Sequence, residues 1–150
     1  MDDHIRIIDQ TLLPSELKII EIRTAAQAVD AIQRLAIRGA PALGAFGSLA
    51  LVVALDEYHS KSLNEAISHL EACRISIGDA RPTAVNLRWA VDRVIDRAIA
   101  RSSDLENLRD NLLREAHLVA AEDAEACAEI GRLGRELLRD AVVIGTHCNA

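Results

Sequence analysis

The chain has 150 residues, a length at which one domain buries a core of its own, and half of them are hydrophobic, mostly Ala, Leu, Ile and Val. That composition argues against disorder, and with only 2% aromatic residues it points to closely approaching helices over a sandwich of sheets. A formal net charge of -6, with one Trp, one Tyr and one Phe, supplies neither a basic stripe nor a stacking platform, so a nucleic-acid partner is not expected.

The chain opens with two β-branched-rich stretches, Ile5–Asp9 and Leu17–Arg23, separated by Pro14-Ser15. This pattern predicts a small antiparallel hairpin. Thr24-Ala25-Ala26-Gln27 reads as a capping box, and Ala28, Ile32 and Leu35 recur at helical spacing. Gly39 is placed to end that helix, and Pro41 suits the first turn of the next. The second helix, to about Tyr58, is apolar on all sides and should be central. Its uncharged run from Gly39 to Leu55 is at the short limit for crossing a bilayer, and Pro41, Gly44, Gly47 and Ser48 favour a core helix.

Ser62-Leu63-Asn64-Glu65 predicts a helix that fades near Gly78, and Pro82-Thr83 opens another running to about Arg101. Ser103-Asp104-Leu105-Glu106 reads as a third capping box, starting a long helix to about Arg139, bent or broken near Gly131 and Gly134. Val142-Val143-Ile144-Gly145 then reads as a short buried strand with no parallel neighbour before it, so the sequence looks unfinished.

Three widely spaced cysteines form neither a disulfide framework nor a zinc site. Cys73 and Cys127 sit among apolar residues on helical stretches and are expected in the core. Met1-Asp2-Asp3-His4 does not open a secretory leader, and the cytoplasm is the expected location.

Two segments repeat one physical idea. Arg38-Gly39-Ala40-Pro41 and Arg81-Pro82-Thr83 each put an arginine just before a helix start. Free N–H groups and the positive end of a helix dipole favour an anion there, and a guanidinium adds a planar donor fork for phosphate. A solvated or structurally salt-bridging residue is the plainer reading of either arginine taken alone. The third segment, Thr146-His147-Cys148-Asn149, follows the expected strand, where ligand crevices of open α/β sheets lie. Cys148 could serve there as acid, base or nucleophile, or be a small buried apolar residue. A Cys–His dyad with His147 is disfavoured, because neighbours at a strand end point to opposite sides.

Arg38-Gly39-Ala40-Pro41-Ala42, Arg81-Pro82-Thr83-Ala84-Val85-Asn86-Leu87 and Thr146-His147-Cys148-Asn149-Ala150 resemble, in order and spacing, successive motifs of the methylthioribose-1-phosphate isomerase family. The opening hairpin and Ile130-Gly131 agree, so the resemblance spans the chain. Ribose-1,5-bisphosphate isomerases and the regulatory subunits of a translation initiation exchange factor share the fold. The resemblance implies a helical N-terminal domain with its hairpin over residues 1–140, and over 141–150 the first strand and catalytic-loop start of a truncated Rossmann-like domain. It implies that Arg38, Gly39, Ala40 and Arg81 bind substrate and that Cys148 is catalytic, without metal or organic cofactor. The implied reaction is aldose–ketose isomerisation of 5-methylthioribose 1-phosphate in methionine salvage.

A catalytic Asp, a substrate Gln and an Asn-Lys pair of the family's second domain have no counterpart among these residues, nor has the Gly that usually follows the last motif. Turnover by the chain alone is therefore not expected, and a second polypeptide could supply the rest. The intact family enzyme is implied to be a homodimer. The other function open to the same fold is a non-catalytic regulatory or assembly module.

Overall fold

The computed structural model describes residues 4–145 as a bundle of five helices with one small sheet. Strand β1 (Ile5–Ile8) pairs antiparallel with β2 (Ile19–Ile22), Ile5 opposite Ile22 and Ile8 opposite Ile19. Alternation turns Ile5, Ile7, Ile20 and Ile22 towards the helical core. The connection carries a 3-10 turn, Gln10–Leu12, held by the buried Asp9, which accepts from the Thr11 amide at 3.1 Å and its hydroxyl at 2.7 Å. Asp9 also accepts from Arg34 at 2.7 Å, tying the hairpin to the first helix.

Helix α1 (Ala25–Gln33) starts on the expected Thr24 cap, whose oxygen accepts from the Gln27 amide at 3.1 Å. It does not run on to Gly39. After the C-cap Arg34 the chain turns through Leu35 at φ 66°, with Leu35 N–H on Ile32 O and Ala36 N–H on Ala31 O. This is a Schellman ending with leucine where glycine is usual, so the sequence gives no stop signal there. The buried Ala36, whose carbonyl accepts from the Gln10 amide, holds the turn in place.

Helix α2 (Ala40–Tyr58) follows and packs against the other four helices. It is long and apolar enough to cross a membrane, yet 61% of its apolar window is buried inside the bundle, the expected core role. Helix α3 (Leu63–Gly78) is capped by Ser62, while Glu65 reaches back to the Lys61 amide at 2.9 Å. Helix α4 (Val85–Ala100) begins three residues later than Pro82 suggests. Ala84 N–H bonds to Arg81 O at 2.9 Å, which places Pro82 and Thr83 at the centre of a β-turn, a position proline favours as much as a helix start.

Helix α5 (Leu105–Leu137) is capped by Asp104, one residue after the expected Ser103, and is assigned without a break through Gly131 and Gly134. An aspartate oxygen and a serine hydroxyl cap equally well, so composition alone could not choose between them. The first half of α5 buries Leu108, Leu112, Ala116 and Val119; no described residue beyond Val119 is buried. Cys73 is in the core as expected, but Cys127 is exposed, because no described element covers its face of α5. The expected buried strand at Val142–Gly145 is not formed either. Val142, Val143 and Ile144 are 98%, 86% and 63% exposed, and the one sheet among the described residues pairs β1 only with β2. A strand forms only where another can satisfy its backbone.

Candidate functional site

Helices α2 and α4 approach each other through glycine. A Cβ on Gly44 would lie 3.0 Å from Asn86 O and 3.3 Å from the Ala90 methyl, and Gly47 one turn on faces Leu87 and Val91. Helix α5 runs antiparallel to both, with Arg109 on Asp56 and Glu122 beside Pro41 of α2, and Glu115 on Arg101 and Glu122 on Arg93 of α4. Helices α2 and α4 therefore run parallel, and their N-termini share one end of the bundle. The segments carrying Arg38 and Arg81 enter at that end.

The two meeting N-termini differ from the others in their caps. Thr24, Ser62 and Asp104 each accept a first-turn amide of α1, α3 and α5. Gly39 and Ala84 make no such bond, which leaves first-turn N–H groups of α2 and α4 without a side-chain acceptor. Gly39 sits at φ 98°, a backbone conformation open to glycine and strained for other residues. Free amides at the positive end of two aligned helices form an anion-binding arrangement.

Arg74 and Arg88, on α3 and α4, are held by carboxylates. Arg74 is bound by Glu71, Asp92 and Asp96, and Arg88 donates to Asp79 at 2.8 Å and Asp92 at 2.9 Å. Hydrogen bonds donated to Asp92 and then to Asp79 raise Arg88 above the ordinary arginine range. Arg38, exposed, and Arg81, half-buried, have no carboxylate partner among the described residues. Neither forms a salt bridge among the described residues, and the exposed Arg38 stands in solvent. Gly39 is half-buried and Ala40 exposed on the first turn of α2. Cys148 lies outside the described residues, with Thr146 and His147, so its position relative to the arginines is not described. No three His, Cys, Asp or Glu among the described residues stand together as a metal site.

A recess of about 210 Å³ begins at the uncapped first turns and reaches about one turn further, lined by Pro41 and Gly44 of α2, Asn86 and Trp89 of α4, and Val119, Glu122 and Asp123 of α5. Trp89 is 52% exposed, and the Arg93 guanidinium lies 5.3 Å from its ring centroid. Arg93 in turn binds both oxygens of Glu122, one at 2.5 Å. That bond holds the Glu122 carboxyl below its usual range. This recess was not foreseen from the residue order, because its walls come from three helices far apart in sequence. The available signal was the only tryptophan standing three residues after Asn86, which places both on one face of α4.

A model of the initiation factor 2 subunit family matches residues 36–150. A methylthioribose-1-phosphate isomerase of Acetivibrio thermocellus is 40% identical over 147 residues, covering 97% of this chain and 43% of its own. A 5-deoxyribose 1-phosphate isomerase of Moorella thermoacetica is 41% identical over 150 residues, covering 99% and 43%. The crystal structure of a translation initiation factor eIF-2B, subunit delta, from A. fulgidus superposes with a TM-score of 0.89 at 40% identity, covering 99% of this chain and 44% of that one. The chain thus spans a little over two fifths of the length of the relatives it matches.

Proposed function

The chain belongs to the initiation factor 2 subunit family, and on that premise we propose that it is the N-terminal, phosphate-binding portion of an aldose–ketose isomerase. The substrate is 5-methylthioribose 1-phosphate, the product 5-methylthioribulose 1-phosphate, and the setting methionine salvage in the cytoplasm. One observation carries the reading: two uncapped helix N-termini meet at one end of the bundle, each preceded by an arginine without a carboxylate partner. The Gly39–Ala40 backbone and the Arg38 and Arg81 guanidinium groups would hold the phosphate. Phosphate on the anomeric oxygen removes the free hydroxyl through which an ordinary aldose opens. Opening therefore needs a proton delivered to the ring oxygen as its bond to C1 breaks. C2–H then leaves as a proton, its electron pair forming a C1–C2 double bond, and the resulting enol takes a proton at C1 while the C2 hydroxyl gives up its own to form the ketone. Cys148 would take part in that transfer, with an acid supplied from outside the chain's own described residues.

Turnover is proposed to need the further residues that the longer relatives carry, from the same or a second polypeptide, in a homodimeric enzyme. A second reading, a non-catalytic regulatory or assembly module, is favoured by the A. fulgidus structure, named for a translation factor subunit. Titration calorimetry of the chain with inorganic phosphate and with 5-methylthioribose 1-phosphate separates the two. Binding by the wild type that is lost in Arg81→Ala supports the phosphate pocket. No binding by the wild type overturns it in favour of the module.

A further inference from the structure

We infer that the recess between α2, α4 and α5 receives the uncharged 5-substituent of the sugar phosphate, with Trp89 as the residue that sets specificity there. The inference rests on the proposed isomerase reading and adds to it the direction in which the sugar lies.

The substrates in the names of the two isomerase relatives share two chemical features. Each carries phosphate on C1, and each lacks the 5-hydroxyl, having a methylthio group or hydrogen in its place. A site for this class needs an anion-binding end and an apolar end one sugar ring apart. The uncapped N-termini with Arg38 and Arg81 answer the first need. The recess answers the second: Gly44 lies four residues along α2 from Ala40, about 6 Å at 1.5 Å rise per residue.

The recess walls fit an apolar group. Pro41, Trp89 and Val119 present carbon surface, and Gly44, where α2 and α4 come close, lines it without a side chain of its own. Arg93 lies 5.3 Å from the Trp89 ring centroid and is anchored by Glu122, which holds the indole in place at the recess. The charges fix the orientation. Glu122 is paired with Arg93, which leaves Asp123, among the described residues, as the unpaired charge at the recess to repel a phosphate dianion, while the cationic end lies at the helix starts. The phosphate therefore faces Arg38 and Arg81, and the 5-substituent faces Trp89.

Trp89 is the only tryptophan in the chain, so its fluorescence reports on this recess without added labels. The wild-type chain and Trp89→Ala, which removes a half-exposed side chain, would be titrated with 5-methylthioribose 1-phosphate, ribose 1-phosphate and inorganic phosphate. A saturable change in Trp89 emission is expected with the methylthio compound and none with inorganic phosphate. Calorimetry is expected to give a preference of about tenfold or more for the methylthio compound over ribose 1-phosphate, the range one apolar group contributes in a pocket. Trp89→Ala should remove most of that preference and leave inorganic phosphate affinity unchanged. Equal affinity for the two sugars, or a preference that survives in Trp89→Ala, overturns the inference, while phosphate binding lost in Arg81→Ala would leave the isomerase reading standing. If the wild type binds neither sugar phosphate, both fail.

Discussion

Gly47 of α2 and Leu87 of α4 pack so closely that a Cβ on the glycine would stand 2.4 Å from Leu87 Cδ1 and 3.3 Å from Val91 Cγ2. Leu87 and Val91 are fully buried, so neither can swing aside into solvent. This contact, with Gly44 against Asn86, sets how near the two uncapped helix starts come. Gly47→Ala gains about 1 kcal/mol of helix propensity, but overpacking a filled core costs about 1–3 kcal/mol. Net destabilisation by about 1 kcal/mol is expected in urea unfolding. In a Leu87→Ala background the same change should become neutral or stabilising, because the opposing methyl is gone; an additive double mutant would show that the contact is not limiting.

Leu35 holds a left-handed turn that ordinarily falls to glycine. The residue is 39% exposed, so more than half of its surface is covered. Leu35→Gly trades relief of the left-handed conformation, about 1–2 kcal/mol, against lost burial of similar size, and a thermal midpoint little changed is expected. A lowered thermal midpoint would mean that leucine packing outweighs the backbone strain.

Asp9 is held below its ordinary value of 3.8, first by the Thr11 hydroxyl and then by Arg34. A carboxylate lowered in the folded state contributes stability that is fully present above pH 3.8 and is lost as pH falls through the lowered native value. The unfolding free energy of the wild type should therefore drop between about pH 5 and about pH 3, and Asp9→Asn should show a smaller drop. Equal acid sensitivity in the two proteins would remove Asp9 from the account of how the hairpin is tied to α1.

Burial, with a smaller contribution from Glu57, pushes the Cys73 thiol up to about 11, whereas Cys127 is exposed on α5. Alkylation at about pH 8, read by peptide mass spectrometry, should label Cys127 readily and Cys73 only on unfolding. Because the thiol titrates at 9.0 when unfolded and about 11 when folded, its contribution to stability is full below 9.0 and is lost as pH rises towards 11. Rapid labelling of Cys73 in the native protein would contradict the packing around α3.

Local chemistry made much of this protein legible in its residue order. The period of Ala28 and Ile32, the caps at Thr24 and Ser62, and the all-round apolar run of α2 each depend on neighbours within one or two turns, so hairpin, helices and central core helix could all be anticipated. The three motifs likewise carried the family resemblance. What lay beyond reach depended on contacts distant in sequence. Leu35 ends α1 because Ala36 is buried and its carbonyl is bonded by Gln10, and Cys127 is exposed because no described element covers that stretch of α5. The meeting of Gly44 with Asn86, which brings two uncapped helix starts together above a recess walled by Trp89 and Val119, was likewise decided only by folding. Side-chain periodicity assigns a residue to a face of its helix; only the packed chain decides what that face meets.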